Sequence, residues 1–292
     1  MNNDIKAVVL DVDGILVGHK GGPNFPAPCP EIIDALRSIK AAGIPVILCT
    51  GRPFYTPAME LIVNVADLNN FHIGEMGCLT MNPISGKILR CQTVSQGDCH
   101  RLVHQLLEEN IVTNYFTPEK YFVQKNQADD EISILLAASV EAHPVEVESL
   151  EDNIKNLPIL YVSGNSKKES ARFAMENIYK NFSGKFNLLW GNNLFLADYH
   201  YGFFVPSGTS KSASLINLLG HIGISFENVL GAGDGIVDWD FMKFCGYRAT
   251  LENALPEVLK NMRATNDPAR NFIGPGVDQN GILAAFRHFG LI

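Results

Sequence analysis

The apolar run Ala7-Val8-Val9-Leu10 stops at two carboxylates, Asp11 and Asp13, and Gly14 follows at once. A short, continuous apolar run of this kind reads as a strand buried on both faces, as in a parallel sheet. Alternate residues of a strand share a face, so the two acids point the same way if the strand runs through them. In an open α/β sheet the ligand crevice lies beyond the carboxyl ends of the strands, which is where this pair would sit. Two carboxylates held together repel unless a cation or a proton comes between them, and an all-oxygen donor set suits Mg2+. Taken alone, the segment reads equally well as a charged turn closing a surface hairpin.

The following residues alternate helix and strand signals. Pro30 to Gly43 is amphipathic, with apolar residues at 32, 33, 36 and 39, a Pro-Glu start and a glycine stop. Ile44–Cys49 is a second buried strand, ending in Thr50-Gly51-Arg52-Pro53. A helix is expected over 55–67 and a short strand over Phe71–Gly74. After Asn82-Pro83 the pattern changes. Hairpin-like pieces (Lys87–Gln92, Tyr121–Lys125, Ile132–Ala138) mix with helical runs (Gln96–Glu109, Ser149–Asn156, Lys168–Asn181) and the strand Ile159–Val162. Beyond residue 190 strands are expected at Phe195–Asp198, Gly202–Val205 and Val229–Gly233, with a helix over Ser212–Gly220. The expected fold is α/β: a parallel-sheet core from 1–83 and 191–292, with an α+β domain inserted over 84–190.

A chain of 292 residues suits two domains. Its formal charge of −8 argues against a broad nucleic-acid-binding surface. The six cysteines form no CxxC pair, which suits reduced thiols better than a disulfide framework or a zinc site. Neither a charged-then-apolar leader nor an apolar run of about 18 residues is present. The expected setting is the cytoplasm, the expected partner a small molecule; oligomeric state is left open.

Three further blocks share the context of the first. Val46 to Arg52 places a hydroxyl, Thr50, and the N–H of Gly51 at a strand end, where an anion could sit. Pro206 to Lys211 places a lysine at a helix start, against the helix-dipole preference, which makes sense if an anion shares the space. Val229 to Asp238 ends a third buried strand in Gly-Asp234-Gly, with Asp238 four residues on. Each is weak alone, since such turns are common. In order they read DxDG, TG, K and GDGxxD. In this the chain resembles the haloacid dehalogenase superfamily of phosphoryl-transfer enzymes, and the insert resembles the α+β cap of its Cof-type, type IIB branch. Leu251 to Val258 also resembles that branch after its acidic block.

The resemblance implies a Rossmann-like core, a cap and Mg2+-dependent hydrolysis of a small phosphorylated metabolite, with sugar phosphates the leading class. It implies that Asp11 is the nucleophile, forming an aspartyl-phosphate, and Asp13 the general acid and then base. Mg2+ would be held by Asp11, the backbone carbonyl of Asp13, and Asp234. Asp238 would help directly, through water, or by orienting Lys211. Thr50, Gly51 and Lys211 would hold the phosphoryl oxygens, with Arg52 beside the substrate. Two positions depart from the family pattern: Ile15 where threonine is usual, and Val237 where asparagine is frequent. Alternative functions are a phosphomutase, or a binding protein that kept the fold with little activity.

Other residues read more plainly. His100 and His104 lie i, i+4 on an expected helix, but no third ligand accompanies them, so a solvated helix face is the favoured reading. His19 and Lys20 either line the cleft mouth or belong to a polar loop. Trp190 and Phe195 read as packing, and Cys49 as an inert buried thiol.

Overall fold

The run Ala7–Leu10 is a strand with every residue buried, because it has a parallel neighbour on each side. Val229–Ala232 pairs with it along one edge and Val46–Leu48 along the other. The computed structural model describes residues 4–191, 199–265 and 267–292. Its five-stranded sheet runs Asn271–Gly274, Tyr247–Leu251, Val229–Ala232, Ala7–Leu10, Val46–Leu48, with every pairing parallel. Chain order reverses between the strands Ala7–Leu10 and Val229–Ala232. Their carboxyl ends therefore flank the switch point, where an open α/β sheet offers a crevice.

Helices cover both faces. Ala7, Val9, Ile47 and Val229 pack against Leu215, Leu218, Phe241, Met242 and Val258, from helices Lys211–Ile222, Ile236–Met242 and Pro256–Ala264. Helices Pro30–Ala41 and Gly281–His288 touch each other and the sheet, burying Ile32, Leu36, Ile39, Ile282 and Phe286. A three-stranded sheet of His72–Gly74, Leu79–Asn82 and Lys87–Cys91 adjoins through a bridge between Cys49 and Ile73.

This assembly is the larger of two compact units, made of Met1–Arg52, Ala58–Leu89 and Ser210–Ile292. The second comprises Pro53–Pro57 and Arg90–Thr209. Its six-stranded sheet runs Phe186–Gly191, His200–Pro206, Tyr161–Ser166, Val112–Phe116, Tyr121–Gln124, Val145–Val147. Helices Gln96–Glu108 and Glu169–Lys180 supply Leu102, Val103, Leu106, Met175 and Ile178 to its core. Among the described residues, no helix is long and apolar enough to cross a membrane.

Three sequence expectations need correcting. Ile132–Ala138 is not a hairpin piece but part of the helix Glu131–Val140, started by Asp130, whose side chain accepts from the Ile132 N–H. The strand expected at Gly202–Val205 forms within His200–Pro206, but it pairs with Tyr161–Ser166 and Phe186–Gly191. The chain therefore rejoins the larger unit at Ser210 rather than at residue 191, and leaves it after Leu89 rather than 83. The strand expected at Phe195–Asp198 lies outside the described residues.

Candidate active site

The strand holding the first acids ends at Leu10, and the two carboxylates part company there. The Asp11 N–H donates to the Ala232 carbonyl at 2.9 Å, tying this acid to the neighbouring strand end. The Val12 carbonyl then gathers the N–H groups of Leu16 and Val17 at 2.9 and 2.8 Å, closing a tight turn. Gly14 sits in that turn at φ +76°, and a Cβ there would lie 2.0 Å from Asp234 Oδ2. Only glycine allows both the left-handed backbone and the approach of the acid. Asp11 turns inward and is 5% exposed. Asp13 turns outward, where Arg52 clasps it with two parallel bonds, Nε to Oδ2 at 2.8 Å and Nη2 to Oδ1 at 2.7 Å.

Lys211 opens its helix, capped by the Ser210 side chain, and is buried. Its Nζ donates to Asp11 Oδ1 at 2.8 Å and to Asp238 Oδ1 at 2.6 Å. The other Asp238 oxygen accepts from the Gly235 N–H at 2.9 Å, so the acid caps the helix that carries it. Burial alone would lower the pKa of the Lys211 ammonium, but Asp11 and Asp238 outweigh it and hold the group above its ordinary range. Burial and the neighbouring Asp238 push the Asp11 carboxyl up to about 7. Burial, then Asp11 and Asp238, hold Asp234 well above the usual carboxylate range.

Oxygens of Asp11, Asp234 and Asp238 all lie within 4.8 Å of one another. Lys211 offsets part of the charge of this all-oxygen donor set, and burial and mutual repulsion still push Asp11 and Asp234 towards protonation. Such a donor set suits a hard divalent cation. Asp13 sends its carboxylate to Arg52, leaving its backbone carbonyl for the metal contact expected of it.

The second block ends the neighbouring strand. Cys49 donates to the Leu10 carbonyl at 2.8 Å and Thr50 to the Ile73 carbonyl at 2.9 Å. Thr50 is buried, and its Oγ1 accepts from the Arg52 N–H at 3.1 Å, leaving its O–H to donate elsewhere. Gly51 faces Met76, whose Sδ and Cε would lie 2.9 Å from a Cβ at that glycine.

Two contributors carried no role in the sequence reading. Glu75, Met76 and Gly77 have successive positive φ of 54°, 57° and 90°, making a turn that abuts the Lys211 helix. The Ser214 hydroxyl donates to the Gly77 carbonyl at 2.6 Å, and a Cβ on Gly77 would lie 2.5 Å from the Ser210 carbonyl carbon. Asn253, in the stretch after the acidic block, donates to the Gly14 carbonyl at 2.9 Å and accepts from the Val277 N–H at 2.8 Å. Its neighbour Leu255 donates to the Asp234 carbonyl at 3.0 Å. One segment thus steadies both acid-bearing turns.

Other candidates fall elsewhere. His19 pairs with Asp278 at 3.1 Å and Lys20 is exposed. Burial pushes the Cys49 thiol far up, which suits an inert group. Trp190 packs on the core of the second unit, and Phe195 lies outside the described residues. Ile15 is fully buried, while Val237 is partly buried.

A family model of haloacid dehalogenase-like hydrolases matches residues 8–272. The chain belongs to that family. This haloacid dehalogenase-like hydrolase is 23% identical over 287 residues to YxeH of Bacillus subtilis (strain 168), a protein with a presumptive phosphatase name, covering 98% of each chain. A haloacid dehalogenase-like hydrolase from Bacteroides thetaiotaomicron superposes with a TM-score of 0.81 at 21% identity, over 97% of this chain and 98% of that one. The subclass IIB sugar phosphatase BT4131 superposes with a TM-score of 0.76 at 17% identity, over 98% and 100%. At these identities the structural likeness establishes the shared fold.

Proposed function

We propose that this hydrolase is a Mg2+-dependent phosphatase of small phosphorylated metabolites, with sugar phosphates the leading class. The observation that carries this reading is the buried Asp11–Lys211–Asp238 chain with Asp234 beside it. The phosphatase names of YxeH and BT4131 support it.

Asp11 attacks phosphorus, forming an aspartyl-phosphate as the bond to the leaving oxygen breaks. Asp13 gives that oxygen a proton, then takes one from the water that attacks the intermediate, releasing inorganic phosphate and restoring Asp11. Nucleophile and acid need different environments, and Asp11 is buried while Asp13 is half exposed. Thr50, the Gly51 N–H and Lys211 hold the phosphoryl oxygens as charge spreads over them. Asp238 keeps Lys211 charged and aimed. Asp11, Asp234 and the Asp13 carbonyl would hold Mg2+, which when bound supplies positive charge to the phosphoryl oxygens. The second unit, inserted between the second and third blocks, is assigned the choice of leaving group.

The test is phosphate release from a panel of sugar and other metabolite phosphates, with and without Mg2+. Turnover is expected only with Mg2+, and none from Asp11→Asn. No turnover on any phosphorylated small molecule, together with no Mg2+ binding, would sink the reading. Transfer of label between sugars without phosphate release would make the protein a mutase instead.

A further inference from the structure

Three helix ends of the second unit meet around a cavity of about 410 Å3. Helix Gln96–Glu108 finishes there at Glu109 and Asn110, while helices Glu131–Val140 and Glu169–Lys180 begin there. Antiparallel pairing sets Ser166, on the cavity wall, beside His200, and the chain leaves the unit from the opposite end of His200–Pro206. The cavity shares no residue with the acid cluster of the larger unit.

The two helix starts differ. Asp130 closes the first, its side chain accepting from the Ile132 N–H at 2.9 Å. At the second, the capping position is held by Lys168, whose side chain can accept nothing. The carboxylate of Glu169, in the first turn, goes to His200 Nε2 at 2.7 Å instead. Unsatisfied N–H groups at the start of a 12-residue helix, with an ammonium beside them, attract a carboxylate.

Asn165 presents the opposite need. It is fully buried and lines the same cavity. Its Nδ2 lies 3.0 Å from Asn114 Oδ1 and 3.2 Å from both the Val112 carbonyl and Ser163 Oγ. Those acceptors fix the orientation of the amide and leave Oδ1 buried with no donor among the described residues. A buried acceptor in that state is costly, and a ligand N–H would satisfy it. Val112, Ile132, Ala171 and Ala174 give the cavity an apolar wall.

Charge decides the kind of ligand. Lys167 and Lys168 stand against Glu109, Asp130 and Glu131, with Lys167 facing Glu131 at 3.8 Å. The lining is therefore already one charge negative. That disfavours a dianion such as a phosphate ester and suits a ligand that balances its own carboxylate with an ammonium.

We propose that this cavity binds a free α-amino acid with an aliphatic side chain. The carboxylate meets Lys168 and the open start of Glu169–Lys180, the ammonium donates to Asn165 Oδ1, and the side chain lies on the apolar wall. An apolar pocket with a few convergent polar groups is the usual make-up of a small-molecule site. The proposal is independent of the phosphatase reading, since no turnover enters its test.

The test is calorimetric titration of L-leucine, L-valine and L-methionine, each in turn, into the full-length protein. One molecule per chain is expected for at least one of them. The matching acid and amine, which lack the ammonium or the carboxylate, should bind roughly tenfold more weakly or worse, and inorganic phosphate should not compete. Lys168→Glu should weaken binding roughly tenfold or more, Ala174→Leu should abolish it by filling the cavity, and Asp234→Asn should retain it. Lys168 is exposed, so circular dichroism and melting of Lys168→Glu should match the wild type. The proposal is overturned if none of the three amino acids binds, if the acid or the amine alone binds as tightly, if phosphate displaces the amino acid, or if either cavity variant binds like the wild type.

Discussion

Asp13 and Arg52 show how one side chain sets the task of another. A half-exposed carboxylate held by two guanidinium bonds stays open to solvent, unlike buried Asp11, and the acid role proposed for it needs that access. Replacing Asp13 by Asn should slow hydrolysis of an alkyl phosphate by roughly 10²–10⁴-fold. Read in the single-turnover formation of the aspartyl-phosphate, before the base role enters, the loss should be much smaller for p-nitrophenyl phosphate, whose leaving group departs without a proton. Equal losses on both substrates would deny Asp13 the acid role. His72 is a buried residue of another kind. Its Nδ1 accepts from the Leu48 N–H at 3.1 Å, so Nε2 carries the hydrogen towards the Leu68 carbonyl at 2.9 Å. Burial lowers its pKa from 6.5 to about 4. The unfolded chain takes up this proton below pH 6.5 and the folded protein only near pH 4, so stability should fall as pH drops across that window. The full loss is about 3 kcal/mol, at 1.36 kcal/mol per pKa unit. Urea unfolding of wild type and His72→Gln checks it: the variant's curve should be flatter between pH 6.5 and 4.

At the scale of elements, the turn Glu75–Gly77 is as much part of the site as the acids. Gly77→Ala forces a side chain into φ +90° and into the Ser210 backbone. The strain should cost at least roughly 1–3 kcal/mol, and the displaced Lys211 should lower kcat roughly 100-fold. Gly208→Ala is the control: its φ is +75° but nothing lies within 4 Å of the new Cβ, so it should lose some stability and keep its kcat. Unfolding and turnover of both variants test this together.

The same scale explains what could be read in advance. Strands ending at Leu10, Leu48 and Ala232 were legible because burial on both faces makes them continuously apolar, and because acids, hydroxyls and glycines interrupt them abruptly. Val112–Phe116 was not, since Val-Thr-Asn-Tyr-Phe is buried throughout yet mixes polar with apolar residues. Ile132–Ala138 misled because apolar runs of this length suit either element, and the Asp130 cap settled it. His200–Pro206 was seen in part, but its sheet was not, because pairing with Tyr161–Ser166 leaves no local mark. Within the site, the acids and Lys211 each stand in a local pattern. The hold of Asn253 on Gly14 spans 239 residues, and nothing in either segment announces it.

At the scale of the whole molecule, each unit owns a hydrophobic core, one around Val9, Leu218 and Phe241 and the other around Leu106, Met175 and Phe186. Each is large enough to unfold as its own cooperative body. The acid cluster belongs to the larger unit, so calorimetry should resolve two transitions, with Mg2+ raising one midpoint and leaving the other in place. Asp234→Asn should abolish that rise and, by removing one of three crowded charges, stabilise the same transition without Mg2+. A single transition that Mg2+ moves as a whole would show the two cores to be one cooperative system.

The pairing of Ala7–Leu10 with Val229–Ala232 also has a meaning in time. Asp11 and its lysine are 200 residues apart, and ribosomes add roughly 5–20 residues per second, so the acid emerges roughly 10–40 s before its partner exists. Throughout that interval the strand bound for the middle of the sheet is an open edge, the kind of surface that recruits other strands. The inserted unit is complete before the sheet that frames it, and the nascent enzyme carries its most vulnerable strand first.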